Sequence, residues 1–270
     1  MYLPATRRAA ALPVRRTIGH LGAACAVLAL GLAAGCGDDP ATATAPTTTE
    51  PVAPERSDPT DTATEPGDQT ATTGTAAGLR PDINQTPIPY GAKRQRDMAA
   101  YAKRHYGVTT STLKKPKTIV EHIAVAGSAE SVRNTFTPNR KDPELGELPG
   151  LCTHFVIGSN GEIDQLVPLE RMCRHTVGLN HVSIGIEHVG FQDGDLLGNE
   201  RQLKASLRLT RWLRCRYDLD VDDVIGHSES LDSPHHAERV ESLKTQTHGD
   251  MAASSMRRYR EQLGEKGCRA

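Results

Sequence analysis

The chain has 270 residues, of which 37% are hydrophobic and 4% aromatic, with 17 prolines and 24 glycines. This length fits one or two domains, and the sparse apolar content predicts that part of the chain is unpacked. A formal net charge of −1 leaves no basic excess to hold nucleic acid by counterion release, and the lack of repeated long apolar runs excludes a multispanning membrane protein.

Arg7, Arg8, Arg15 and Arg16 precede an Ala/Leu-rich run from about Ile18 to Ala34, which ends in Leu32-Ala33-Ala34-Gly35-Cys36. A charged start, an apolar middle and small residues before a cleavage point form an export signal. With cysteine directly after the small residues, it resembles a bacterial lipoprotein signal. That resemblance implies lipidation of Cys36, removal of the preceding residues, and a membrane anchor facing the cell wall. Residues 37–80 are nearly all Ala, Thr, Pro, Gly and acidic. Such a segment buries too little apolar surface to offset its ordering entropy and is expected to be a disordered tether.

Residues 81–270 are expected to fold, with 81–117 as an extension carrying one helix and 118–270 as the main domain. A helix is expected over Arg94–Tyr106, stopped by Gly107. Strands follow at Thr118–Val125, Thr153–Ile157, Glu162–Val167, Val182–Val189 and Val221–Ile225. Ser159-Asn160-Gly161 is a hairpin turn signal between the second and third. Helices are expected at Ser128–Phe136, Asn199–Tyr217 and Met251–Leu263, the middle one carrying Leu203, Leu207, Thr210 and Leu213 at helical spacing. The alternation predicts a single α/β domain with a central β-sheet flanked by helices, and the hairpin makes that sheet mixed. Four cysteines remain after the signal. Cys152–Cys173 and Cys215–Cys268 are the expected pairs of the three possible pairings, and the absence of CxxC argues against a zinc ribbon.

Polar groups on apolar strands mark the candidate chemistry. His122 lies within Ile119-Val120-Glu121-His122-Ile123, and His227 ends the run Val224-Ile225-Gly226-His227. Taken singly, a strand histidine is more often a hydrogen-bonded core residue than a ligand. With His248 or Asp250 of Thr247-His248-Gly249-Asp250, however, the two give the three donors that a catalytic zinc needs, leaving one position open. Glu187 interrupts the apolar run Ser183-Ile184-Gly185-Ile186-Glu187, where a carboxylate needs a partner such as Arg174 or a function.

These segments resemble, in order, the motifs of type 2 N-acetylmuramoyl-L-alanine amidases, relatives of peptidoglycan-recognition proteins. The match runs from Ile119-Val120-Glu121-His122 through His154-Phe155-Val156-Ile157, Gln165-Leu166-Val167-Pro168, Arg174-His175, Asn180 and Glu187 to Ile225-Gly226-His227. The resemblance spans about Thr118 to Arg260. It implies a peptidoglycan-recognition-protein-like fold, a zinc ion held by His122 and His227, and hydrolysis of the amide between N-acetylmuramic acid and L-alanine in peptidoglycan or muropeptides. Glu187 matches the carboxylate that handles the water proton. His175 and Asn180, with His154, fall where substrate is bound. The third ligand departs from the family pattern of Lys-x-Asp about ten residues after the second histidine. In one register Asp250 is the ligand and His248 takes the place of the Lys as a catalytic group; in the other His248 is the ligand and Gln246 takes that place. The first is preferred because it keeps both a carboxylate and a basic group. His235 and His236 lie in the intervening insertion, after an expected helix start at Ser233-Pro234. The alternative function is a non-catalytic peptidoglycan-binding lipoprotein of the same fold. The HExxH signature of another zinc hydrolase class is absent.

Overall fold

The computed structural model describes residues 79–264. The expected signal, Cys36, most of the tether and Cys268 lie outside the described residues. The described elements are β1 (Asn84–Gln85), α1 (Ala92–Tyr106), β2 (Thr118–Ile123), α2 (Ala129–Phe136), β3 (Phe155–Ile157), β4 (Ile163–Gln165), β5 (Ser183–His188), α3 (Asp193–Gly198), α4 (Glu200–Tyr217), β6 (Val224–Gly226) and α5 (Ala253–Leu263). Most expected elements form, with trimmed ends. Their termini carry the anticipated chemistry: Gly107 ends α1 in the left-handed region at φ 76°, and the side chains of Ser128 and Asn199 cap α2 and α4.

One six-stranded sheet runs β1-β4-β3-β5-β2-β6. Only the β3–β4 hairpin is antiparallel; the other four pairings are parallel. The sheet is therefore mixed and flanked by helices on both faces. Side chains alternate across a strand, and that alternation sorts β2 and β5 by function. Ile119 and Ile123 of β2, with Ile184 and Ile186 of β5, join Leu203, Leu207 and Leu213 of α4 and Met256, Tyr259 and Leu263 of α5 in the main core. Each of these large apolar side chains contributes roughly 1.5–3 kcal/mol on full burial. Val120 and His122 of β2, and Gly185 and Glu187 of β5, point to the opposite face.

Two expectations are corrected. Val221–Asp223 is a 3-10 turn rather than strand, so β6 keeps only Val224–Gly226. No helix starts at Ser233-Pro234; the chain forms a 3-10 turn over His227–Asp232 and then irregular loop. The segment expected as an extension carries its one helix and makes contacts along the domain. β1 pairs in parallel with β4, Leu113 N–H donates to the Glu170 carbonyl at 2.9 Å, and α1 packs Met98, Tyr101 and Ala102 against Met172. The disulfide Cys152–Cys173 forms as expected, with Cα atoms 5.5 Å apart. Cys215 is also disulfide-bonded.

Candidate metal centre

His122 is the penultimate residue of β2, and His227 directly follows the adjacent parallel strand β6. Glu121 pairs with Gly226 in the β2–β6 register, so the next residue on each segment is a histidine at the same end of the sheet. Their Nδ1 atoms lie 3.1 Å apart.

Asp250 reaches them through a fixed loop. Its backbone carbonyl accepts from Ser228 N–H at 3.1 Å, and its Oδ2 accepts from Ile123 N–H, just past His122, at 3.2 Å. Asp193 on α3 accepts from the N–H groups of Met251 and Ala252, both at 2.8 Å. It thereby supplies the N-terminal cap that α5 lacks locally. Gly226 is obligatory here, because a Cβ would sit 1.9 Å from the Met251 carbonyl oxygen. The strand end must be bare for the Asp250 loop to cross it.

The Asp250 carboxylate lies 3.5 Å from His122 Nδ1 and 3.2 Å from His227 Nδ1. A tetrahedral ion with ligand bonds of roughly 2.0–2.1 Å places neighbouring donors about 3.3–3.4 Å apart. The imidazole–imidazole spacing and the spacings to the two Asp250 oxygens, Oδ2 toward His122 and Oδ1 toward His227, lie near that value. Among the described residues, this is the one group of histidine, cysteine and acidic side chains set close enough to hold an ion together.

The electrostatics follow from the packing. Burial acts to raise the Asp250 carboxyl, but hydrogen bonds and charge from both imidazoles outweigh it and hold the group well below the usual range. Burial pushes His227 down to about 4. Burial also works against the charged form of His122, but Glu187 and Asp250 overcome it and raise that group. Glu187 stands directly beside His122 in the β2–β5 register. Burial lifts its carboxyl to about 7, the Asp250 charge adds to the rise, and His122 opposes it. Arg174 is not its partner; that guanidinium pairs with Asp142 and donates to the carbonyls of Glu147 and Pro149.

His122, Glu187, His227 and Asp250 open into a cavity of about 340 Å³, shared with His175 and Thr176 and walled by Val125, Phe136, Leu145 and Leu151. Val125 is exposed and holds φ at +46°, an unfavourable value for a β-branched residue. His248 stands at the rim, nearly half exposed. Its Nε2 is 3.2 Å from Glu144 Oε2 and its ring is 4.9 Å from that of His227. It does not join the group around Asp250.

The three residues expected to bind substrate occupy different positions. The His175 ring lies over Gly185, where a Cβ would come within 2.7 Å of it. Its Nδ1 faces His122 Nε2 at 3.1 Å and Thr176 Oγ1 at 2.9 Å. It sits behind a candidate ligand as well as on the cavity wall. Asn180 is fully buried. Its Oδ1 accepts from the N–H groups of His175 and Thr176, both at 2.8 Å, and its Nδ2 donates to the hydroxyls of Tyr106 at 3.0 Å and Tyr101 at 3.3 Å. Asn180 therefore braces the turn that carries His175, and α1 braces Asn180. His154 is fully buried and does not line the metal-centre cavity. Its Nε2 contacts the Arg171 carbonyl at 2.9 Å, and its Nδ1 accepts from Gly185 N–H at 3.1 Å.

Sequence reasoning missed Thr176, Asp142 and the Tyr101–Tyr106 pair. It also gave no face to Glu121, which points away from the site and accepts from Thr210 Oγ1 at 2.8 Å. His235 lies near Asp223 and His236 packs against Gly178; neither lines the metal-centre cavity.

Two buried histidines and a carboxylate, close enough to hold one metal ion, thus stand beside a buried acid, Glu187. Residues 112–241 match the family described as N-acetylmuramoyl-L-alanine amidase. This match supports the family and takes in His122, His175, Glu187 and His227, but stops short of Asp250. Solved structures with similar folds include the amidase endolysin LysCS from Clostridium intestinale URNW, at 18% identity, 69% of this chain, 97% of that chain and a TM-score of 0.44. A mutant endolysin from Bacillus subtilis is similar at 18% identity, 68% of this chain, 99% of that chain and a TM-score of 0.42. A selenomethionine derivative of AmpD gives 20% identity, 67% of this chain, 93% of that chain and a TM-score of 0.43. No curated protein matches this chain closely enough to count as a relative.

Proposed function

We propose that this protein is a zinc-dependent N-acetylmuramoyl-L-alanine amidase, cleaving the amide between the lactyl group of N-acetylmuramic acid and L-alanine of the stem peptide. The observation that carries the reading is the convergence of His122, His227 and Asp250 beside Glu187, within a chain whose residues 112–241 match that family. Two imidazoles and one carboxylate suit zinc better than the harder magnesium or calcium, which favour oxygen ligands.

His122 Nδ1, His227 Nδ1 and one Asp250 oxygen would hold the ion. When bound, zinc supplies Lewis-acid polarisation of the scissile carbonyl and acidifies water. Glu187 takes the proton of the attacking water and returns it to the departing alanine nitrogen as the C–N bond breaks. Its burial suits both halves of that transfer, since a carboxyl raised to about 7 exchanges protons near neutral pH. His175 orients His122 from behind, in the manner of groups that fix a metal-binding imidazole. His248, at the rim, donates to the oxyanion as the carbonyl carbon becomes tetrahedral. The apolar wall of Val125, Leu145 and Leu151 excludes water from one side of the groove. Export, lipidation at Cys36 and the residue 37–80 tether belong to the same reading and would set the domain against the cell wall.

The test is the product. Digestion of purified peptidoglycan should release stem peptides with new L-alanine amino termini, and Glu187→Gln should abolish that release while zinc stays bound. Wall binding by the unaltered protein without new termini would instead make it a peptidoglycan-binding protein that does not cut.

A further inference from the structure

A second cavity, of about 550 Å³, opens at the β1–β4 edge of the sheet, far from the metal centre at the β2–β6 end. With strands about 4.8 Å apart, β4 and β2 are separated by three steps, or roughly 14 Å. The cavity is lined by Arg80, Gln85, Gln165, Glu170, Trp212 and Arg216, among others. Trp212 is the only tryptophan of the chain. The guanidinium carbons of Arg80 and Arg216 each lie 5.8 Å from its ring centroid. Arg216 also lies 5.5 Å from the Tyr217 ring. Neither guanidinium makes an ion pair or hydrogen bond among the described residues, so both face the cavity with their donors free.

The wall between them joins apolar residues, Leu166, Val167 and Leu169, to a hydrogen-bonded amide pair. Gln85 Nε2 donates to Gln165 Oε1 at 3.1 Å, and Gln165 Nε2 donates to the Val167 carbonyl at 3.2 Å. These bonds tie β1 to β4 and leave the Gln85 carbonyl oxygen as an acceptor. Pro87 and Pro168 stiffen the rim. Glu170 places one exposed carboxylate on the same rim, so a ligand must direct its charge toward the arginines.

We propose that this cavity is an anion-binding site, distinct from the metal centre, that takes a carboxylate or phosphate group carried on a sugar or peptide body. Two guanidinium groups supply planar, charge-assisted donors for the anion. The indole edge and the glutamine carbonyl suit the less charged body of the ligand. The proposal does not depend on the amidase reading.

Trp212 makes the test direct. Its fluorescence, excited where tyrosine does not absorb, reports from this cavity alone. The full chain is titrated at constant ionic strength with N-acetylmuramic acid, glycerol 1-phosphate and neutral N-acetylglucosamine. A saturable change with either anion and none with the neutral sugar is expected, and the anion that responds tells a carboxylate source from a phosphate source. Arg80→Gln and Arg216→Gln should each weaken the response by about tenfold while circular dichroism shows the fold retained. No saturable change, an equal response to the neutral sugar, or unaltered affinity in both folded variants would overturn the proposal.

Discussion

Asn180 offers the sharpest test of how the metal centre is positioned. Its Oδ1 is the acceptor for two N–H groups, those of His175 and Thr176, each at 2.8 Å in a fully buried setting. In Asn180→Ala both donors lose their partner. An unsatisfied buried donor costs about 1–3 kcal/mol, so the structure predicts a loss of about 2–6 kcal/mol. The turn bearing His175 then loosens, and His122 loses the partner 3.1 Å from its Nε2. Outer groups of this kind typically contribute 10- to 100-fold in metal affinity. Asn180→Asp, which keeps an acceptor, should retain most of both properties. Chemical denaturation of the metal-free protein gives the first quantity and chelator competition the second. A stability loss under about 1 kcal/mol with unaltered zinc affinity would refute the brace.

Two further outcomes are expected. Burial holds His154 at about 4, against an ordinary value near 6.5. The unfolded chain therefore takes up this proton first. The contribution is whole above pH ~6.5, falls as pH drops, and is lost by pH ~4, for a total of about 3 kcal/mol. Metal-free His154→Asn should lack that part of the acid dependence, as read by denaturation midpoints across the window; identical pH profiles would contradict it. Replacing Cys152 and Cys173 by Ala opens a loop of 21 residues and should lower stability by about 3 kcal/mol, with zinc stoichiometry unchanged. Loss of zinc in the folded double variant would show that the disulfide shapes the metal centre itself.

Local signals carried much of the architecture. Asn199, the spacing of Leu203, Leu207 and Leu213, and Asp218 turning into the left-handed region at φ 56° make α4 readable at both ends. The Ser159-Asn160-Gly161 turn marked the hairpin because Gly161 takes φ +81°. Short edge strands and long-range caps were not readable. β1 has two residues and exists because β4 offers it an edge, and α5 is capped by Asp193, some sixty residues away along the chain. The strand expected at Val221 gave way to a 3-10 turn, in which the Asp223 carboxylate accepts from the Asp220 N–H at 2.9 Å and the Asp220 carbonyl accepts from the Asp223 N–H at 3.2 Å.

The site divides in the same way. His122, His227 and Glu187 were legible because polar side chains at the ends of apolar strands need a reason. His154 carried the same mark for a different reason: two backbone groups hold it inside the core. Motif order alone does not distinguish a buried hydrogen-bonded histidine from one facing a cavity. Asp250 was legible only as one of two registers, since its approach depends on Gly226 and the fold of the preceding loop. Thr176 and the tyrosines of α1 had no local signal, because their roles exist only after α1 packs against the domain.

The central proposal is that His122, His227 and Asp250 hold one zinc ion. The measurement that tests it most directly is zinc content of the purified chain beside its Asp250→Ala and His248→Ala variants, each shown to be folded. One zinc in the parent, none in Asp250→Ala and one in His248→Ala is the predicted pattern. Zinc retained without Asp250 and lost without His248 would contradict the assignment and move the third ligand to the rim.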